Sequence, residues 1–462
     1  MAALDLTPAA ATEGPPPGRS RLWALAPWLA AAVAILLGTI ALGDKSLWFD
    51  EAFNADVVER PWKDVLHMIR TTEPSQAVYL LFMKPWAGLV GSGDDALLRL
   101  PSVAFAAAAA AALVVLGREL FDRRTGLIAG LLLASNAFVV AWSQQARTYS
   151  LALLAAVGTT LLFVRARRST TIGWWLAYGV VGAASIWCHF YAGLILLAHA
   201  VAFAADAGRP PWRRLAASWG MIGLGLTPLA VYIVGGTREN VEWIPTPSLD
   251  VVWSSVYEPS GENVLLLVAA ALGLAALALG RAAAPARWKT TLLTAWVVVP
   301  IGVGVAAAVV RPFLVPRFAI VIAPALALLA AIAVRAPQHR LLRAGALAAL
   351  AAAAAMQVAA WYHRVPEDWR GAAAYAADAA DRGAEVAVLP RSAALPFRRY
   401  AADIRLVPEP SGPAVVVIVM RGVKDPGTPA QVAREFMAGA PYVLREERTF
   451  GERILAQRWS MP

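Results

Sequence analysis

The sequence predicts a polytopic α-helical membrane protein with about eleven transmembrane helices, followed by a small C-terminal α/β domain. Three observations predict it. Apolar runs of roughly 18 residues or more recur before Tyr362, in a chain that is 59% hydrophobic with a mean hydropathy of +0.57. Arginines gather in the short segments between those runs, the positive-inside arrangement. From Tyr362 onward the long runs give way to strand-length ones. The bilayer core offers no water to the backbone, so a helix that bonds within itself is the spanning element.

The net charge of +10 and the isoelectric point near 10.0 do not make this a nucleic-acid binder, because the arginines are spread over loops and form no basic face. The single cysteine, Cys188, excludes an intramolecular disulfide and a thiolate metal cluster. It ends an apolar run, where a buried, inert thiol is expected. The richness in alanine and arginine fits a GC-rich bacterial genome. There is no phosphate-binding GxxxxGKS loop, no GxGxxG turn and no HExxH zinc motif.

Taken in order, residues 1–21, with Pro15 to Pro17, read as a disordered cytoplasmic tail. The run 22–43 follows Arg19 and Arg21. It is too long for the core of a cleaved signal, so it is a retained first span. The loop 44–98 lies outside. It holds DKSLWFDEAFNADVVE and the amphipathic PWKDVLHMIR. Residues 77–91, AVYLLFMKPWAGLVG, are short for a span and carry Lys84 and Pro85, which suits a re-entrant or interfacial helix. If this segment does not cross, the clusters Arg118/Arg123/Arg124 and Arg165/Arg167/Arg168 stay inside. Further spans are predicted over 99–117, 125–142, 149–164, 173–187, 190–205, 215–234, 263–280, 290–310, 318–334 and 343–361. Their external connections are SQQART, WCHFY, the segment 235–262 and RPFLVPRF. The transmembrane domain is thus 22–361 and the extracytoplasmic α/β domain 362–462. In the latter, AEVAVLP, AVVVIVM and ERILAQRWS read as strands, and TPAQVAREFMAG as a helix capped by Thr428.

The candidate residues cluster at the external helix ends. Asp50 and Glu51 come first. Asp50 caps a helix over 51–59, with Glu51 favouring its positive end, or one of the two acids is a general base at the membrane surface. The two roles are compatible, since a helix N-terminus keeps a carboxylate ionised. Glu73 is either solvated or binds an acceptor hydroxyl or a metal ion. In SQQARTYS, Gln145 and Tyr149 read as interfacial anchors or substrate contacts, and Arg147 as a further anchor or a fixed cation for a phosphate or sugar. His189 and Tyr191 stand at the next external turn. Arg311 and Arg317 run against the positive-inside trend and so need anionic partners, either lipid headgroups or a lipid-linked phosphate.

The ordered set LWFDEAF, EPSQAVYLLFMKPW, LLRLPSVAF, SQQARTYSLALL, RPFLVPRFAIVIAPALALLAA and EDWRGAAAYAAD resembles the GT-C integral membrane glycosyltransferases, specifically the family-39-like, mannosyltransferase-type branch. The similarity runs over about 40–200 and 310–390. It implies inverting transfer of a sugar from a polyprenyl-phosphate donor to a cell-envelope glycan, glycolipid or protein. The resemblance also implies that the reaction takes place on the external face of the membrane, and the composition reads that membrane as a bacterial cell membrane. The resemblance further implies that Asp50 is the base and that Arg317 is a donor-phosphate contact. The positions of the remaining residues add that Glu51 or Glu73 orients the acceptor, with Gln145, Tyr149, His189 and Tyr191 nearby, and that Arg311 or Arg147 joins Arg317 on the phosphate. Mannose is the donor sugar the family label favours, and arabinofuranose is the alternative. No particular cofactor is expected, and a divalent metal is compatible with the residues. Many relatives carry HPP where this chain has Glu73 to Ser75, and QEAR where Gln145 stands. A transporter of lipid-linked sugars and a catalytically silent scaffold are the rival readings.

Overall fold

The computed structural model describes residues 23–206, 211–235 (backbone alone over 229–235), 244, 246–280, 287–310, 312–421 and 427–462. The predicted tail 1–21, Arg311 and most of the predicted loop between 236 and 245 lie outside the described residues.

Helix α1 (Ala26–Thr39) takes up the first apolar run. Three helices then fill the long loop: α2 (Phe49–Glu59), α3 (Trp62–Thr71) and α4 (Ala77–Val90). At a rise of about 1.5 Å per residue α4 is too short to cross a bilayer core. The long α5 (Asp95–Leu120) starts on Asp94, whose carboxylate accepts from the Ala96 and Leu97 amides. Where one span was predicted over 125–142, the chain instead breaks by 58° between α6 (Arg123–Ala134) and α7 (Ala137–Ser143). Asn136 causes the break. Its Oδ1 accepts from the Val139 amide and its Nδ2 donates to the Pro259 carbonyl, so it starts a new helix inside an apolar run.

The remaining apolar runs form α8 (Tyr149–Arg168), α9 (Ile172–Cys188), α10 (Phe190–Ala204), α11 (Trp212–Gly235), α12 (Leu249–Tyr257), α13 (Val264–Ala278) and α14 (Arg287–Ala307). A 3-10 turn, Pro316–Ile322, leads into α15 (Ala323–Arg335), and α16 (Arg340–His363) follows. Each predicted span range overlaps helix, although the ranges 22–43 and 290–310 run past the helix ends and 125–142 is broken. Among the described residues five helical segments are long and apolar enough to cross a membrane, or seven if two bent pairs each count as one, while α1, α9 and α10 are shorter apolar helices. The Pro316–Arg335 segment is the centre, 83% buried, and α16 the periphery, 17% buried. α5 packs on α1, α6 and α8, and α13 on α15. Glycines set the closest approaches: a Cβ on Gly117 would stand 2.6 Å from the Gly126 Cα.

After α16 the chain forms α17 (Trp369–Asp381), β1 (Glu385–Leu389), α18 (Ala394–Tyr400), β2 (Ala414–Met420), α19 (Pro429–Phe436), β3 (Val443–Phe450) and β4 (Ile454–Ser460). The sheet order is β1-β2-β4-β3, with β1 and β2 parallel and the other pairs antiparallel. β2 is apolar at every position because both its faces are covered. Val416 and Ile418 meet Trp369 and Phe397 on one side, while Val415 and Val417 meet Ala433 and Met437 on the other. Thr428 caps α19, with Gln431 closing a capping box.

This C-terminal unit is fastened to the helical part by a buried carboxylate. Asp95, in the first turn of α5, accepts from Arg399 at 2.7 Å, from Arg370 at 2.5 Å and from the Tyr400 hydroxyl at 2.5 Å. Arg370 also donates to the Gly43 and Asp44 carbonyls, and the Leu47 amide donates to the Tyr400 hydroxyl. The segment that enters α2 is therefore held from both sides.

Candidate active site

The site is built from α2 outward. The helix begins at Phe49, with Trp48 as its N-cap residue, so Asp50 lies inside the first turn and does not cap a helix over 51–59 as predicted. Glu51 takes the capping task, its Oε2 accepting weakly from the Trp48 amide at 3.4 Å.

The two neighbouring acids face different ways, since adjacent helical positions are turned by about 100° from one another. Glu51 is fully buried. Arg99 grips it through two hydrogen bonds, Nε to Oε1 at 2.8 Å and Nη2 to Oε2 at 2.6 Å, and the Ala146 amide donates to Oε1 at 2.6 Å. Arg99 spends its remaining donors on the carbonyls of Leu42, Lys45 and Ser46. Glu51 thus ties α2 to α5 and to the 145–148 turn, with every oxygen occupied. Asp50, by contrast, keeps 24% of its side chain exposed, and its carboxylate lies 3.6 Å from Arg147 Nη2.

Arg147 is delivered by a braced turn. Ser102 Oγ donates to its carbonyl, and the Thr148 hydroxyl donates to the Cys188 carbonyl at 2.6 Å. Asn54, one turn after Asp50 and on the same face of α2, donates to the Ala146 carbonyl and accepts from Arg147 Nη1 at 3.1 Å. Asn54 also reaches Gln76, which donates to Glu73 Oε2 at 2.7 Å. Burial pushes the Glu73 carboxyl above its usual range, against the pull of the Arg147 charge.

Further along the cluster, the Arg317 Nε donates to the Tyr149 hydroxyl at 3.0 Å. Its guanidinium stands 5.8 Å from the Trp48 ring, while that of Arg147 stands 5.9 Å from the Tyr149 ring. His189 lies 5.7 Å from the Tyr149 ring and 4.8 Å from Phe318, and its Nδ1 accepts from the Tyr191 amide. The Tyr191 hydroxyl donates to the Phe313 carbonyl, so its ring is wall and its polar end is taken. Gln145 lines an adjoining cavity of about 250 Å³ together with Trp48, Trp142, Arg317, Lys45 and Trp361. The Lys45 ammonium sits 3.7 Å from the centre of the Trp361 ring, and burial lowers its pKa to about 8.

The structure therefore brings Asp50, Glu51, Glu73, Arg147, Tyr149, His189 and Arg317 into one cluster, with Gln145 and Tyr191 on its walls. Sequence reasoning missed Arg99, Asn54, Gln76, Lys45 and Glu367. Two of these carried a readable signal. Arg99 is a charge opening an apolar run, which needs an acid partner, and Asn54 stands four residues after Asp50. Among the described residues no three His, Cys, Asp or Glu side chains gather to hold a metal ion. The arrangement offers a partly exposed carboxylate, Asp50, against one guanidinium, with a second guanidinium, Arg317, on the lining of the aromatic-walled cavity that Trp48 borders.

Comparison with known proteins bears on the whole chain. The model of the dolichyl-phosphate-mannose-protein mannosyltransferase family matches residues 73–234. A crystal structure of ArnT from Cupriavidus metallidurans bound to undecaprenyl phosphate superposes with a TM-score of 0.59 at 14% identity, over 95% of this chain and 98% of that one. This chain has the GT-C fold. It is a multi-pass membrane protein of that architecture, as the motif order implied. The archaeal oligosaccharyltransferase AglB from Archaeoglobus fulgidus, in complex with an inhibitory peptide and a dolichol-phosphate, gives 0.55 at 12% identity, over 84% of this chain and 64% of that one. The mycobacterial arabinofuranosyltransferase AftD gives 0.51 at 16% identity, over 95% and 41%. No curated protein sequence matches the chain.

Proposed function

We propose that this protein is an inverting glycosyltransferase that moves a sugar from a polyprenyl-phosphate donor to a cell-envelope acceptor on the external face of a bacterial cell membrane. One observation carries the reading. Asp50, partly exposed, lies against Arg147 and within a few side chains of Arg317, while its neighbour Glu51 is fully engaged in structure and Glu73 is taken up by Gln76. Transfer needs a base for the incoming hydroxyl and fixed cations for the departing phosphate, held at the membrane surface.

In this reading Asp50 accepts the proton of the acceptor hydroxyl as its oxygen attacks the anomeric carbon from the face opposite the phosphate. The bond from that carbon to the phosphate oxygen breaks, and the electron pair leaves with the polyprenyl phosphate. Arg147 and Arg317 take up the charge, with Tyr149 setting the direction of Arg317. Arg311, outside the described residues, is assigned to the same phosphate on sequence grounds. The cavity beside Trp48 receives a sugar ring, with Gln145 and Lys45 on its lining, and Glu73 tunes Arg147 through Gln76 and Asn54. His189 and Tyr191 shape the wall. Glu51 orients the site indirectly. The sequence reading had given it an acceptor contact, but all its acceptor capacity goes to protein donors. Mannose leads the donor candidates through the matched family model, and arabinofuranose follows through one structural relative.

The test is reconstitution. Purified protein in vesicles is offered labelled polyprenyl-phosphate mannose and then the arabinofuranose donor, with membrane extract as acceptor. A new glycosidic product made by the wild type supports the reading. Donor crossing the bilayer with no product would establish the transporter instead.

A further inference from the structure

We infer that Glu367, in the C-terminal unit, is a positioning residue for Asp50: it caps the first turn of α2 from another part of the chain and so fixes where the reacting carboxylate stands. The inference rests on the transferase reading for its kinetic part only.

A helix leaves its first backbone N–H groups without partners inside the helix. In α2 the Phe49 amide is one of these, and no side chain of its own segment reaches it. Glu367 Oε2 accepts from it at 3.1 Å. The same oxygen accepts from Trp369 Nε1 at 2.8 Å, and Oε1 accepts from Arg453 Nη1 at 3.0 Å. The Glu367 carbonyl accepts from Ser46 Oγ, which in turn accepts from the Trp369 amide. Phe49 packs its ring against the core of the C-terminal unit. The carboxylate is wholly buried, so none of these bonds is shared with solvent.

Asp50 therefore stands between two anchored residues. Phe49 is held through its amide by Glu367, and Glu51 through its carboxylate by Arg99. A buried acid that binds three donors costs the fold desolvation, and burial does push the Glu367 carboxyl above its usual range, with Asp50 adding to the rise and Arg453 opposing it. The charged groups around it are Arg453 from the β3–β4 turn and Asp50 from α2, with Lys45, Arg364 and Glu452 lining the cavity alongside. Packing alone would be served by a neutral residue here. A carboxylate that reaches across to one backbone amide of the reacting helix serves geometry. Rigid placement of a base matters because a displacement of about 1 Å at a reacting group can cost roughly 100-fold in rate.

Two variants of the full-length protein test this, with kinetics and backbone hydrogen exchange read on the same samples. Glu367→Gln presents an amide N–H to a nest of donors. Glu367→Asp keeps the charge and its pairing with Arg453 but falls one methylene short of the Phe49 amide. We expect kcat to fall about 10- to 100-fold in both, the KM for the donor to stay within about twofold because Arg147 and Arg317 are untouched, and the peptide spanning 46–59 to exchange faster than in the wild type. Wild-type kcat and wild-type exchange in Glu367→Asp would overturn the inference. So would losses in kcat that match a lower folded fraction. Should the wild type transfer no sugar from any donor, the transferase reading fails. The exchange comparison then judges the cap alone: faster exchange keeps it, and equal exchange ends it.

Discussion

At the scale of the residue, two adjacent acids divide structure from chemistry. Glu51 and Arg99 form a buried pair, and removing one partner of such a pair strands the other charge at a cost of about 3–5 kcal/mol. Glu51→Gln is therefore expected to lower the thermal midpoint and the yield of folded protein in detergent. Asp50→Asn, at a partly exposed contact worth about 0–1 kcal/mol, should leave the midpoint where it is; a melt of the two variants side by side checks this. Lys45 makes a pH prediction. It is charged below its pKa of about 8 and neutral above it. If its charge helps hold the anionic donor, the donor KM rises as pH is taken from 7 to 9, and Lys45→Gln shows a raised KM at both values with no further rise. An identical rise in the variant would remove Lys45 from donor binding. The sequence made Asp50, Arg147 and Arg317 visible because charges at the ends of apolar helices have few bland explanations. It hid the division of labour between Asp50 and Glu51, because that depends on Arg99, which lies 48 residues from Glu51 in the chain.

At the scale of the element, apolar runs were legible and their breaks were not. Among the described residues hydropathy located the long helices, since length and composition suffice in a bilayer. It missed the bend at Asn136, where one polar side chain makes a cap and a bond to Pro259. The helix over 49–59 was expected two residues later because Asp50 looked like a cap. The aromatic Trp48 took that place when Glu51 reached back to its amide. Helix packing is set by glycine. A Cβ on Gly126 would run into the Val114 carbonyl and the Arg118 amide of α5, and one on Gly273 into the Leu329 backbone of α15. Gly126→Val is expected to push α6 off α5 and to cut the yield of folded protein severalfold, while Gly158→Val, which meets nothing within 4 Å, should be tolerated. Size-exclusion profiles of the two variants in detergent check the difference.

At the scale of the whole molecule, the reading is of one site assembled at a seam. On the proposed function the first loop would supply the base, the 145–148 turn one guanidinium and the segment before α15 the other, while Asp95 and Glu367 join the C-terminal unit to the helical part beside them. Of that unit's strands, β1 and β2 were readable as apolar runs and β4 by its alternation, while the polar, exposed β3 was not. The docking of the unit was not readable either, because Asp95, Arg370, Arg399 and Tyr400 meet only in three dimensions. Asp95→Asn is expected to free the unit, and limited proteolysis between α16 and α17 should then quicken several-fold relative to the wild type. The topology also makes a claim. A cysteine at Gly93, in a Cys188→Ala background, should react with an impermeant maleimide from outside intact cells, since α4 is too short to cross. Labelling only after the cells are opened would contradict it. The central claim is that Asp50 is the base of a sugar transfer, and single-turnover transfer from labelled polyprenyl-phosphate sugar by wild type and Asp50→Asn tests it most directly. The account predicts product from the wild type and a loss of at least about 100-fold in the equally abundant, equally stable variant. Equal rates from both would contradict it.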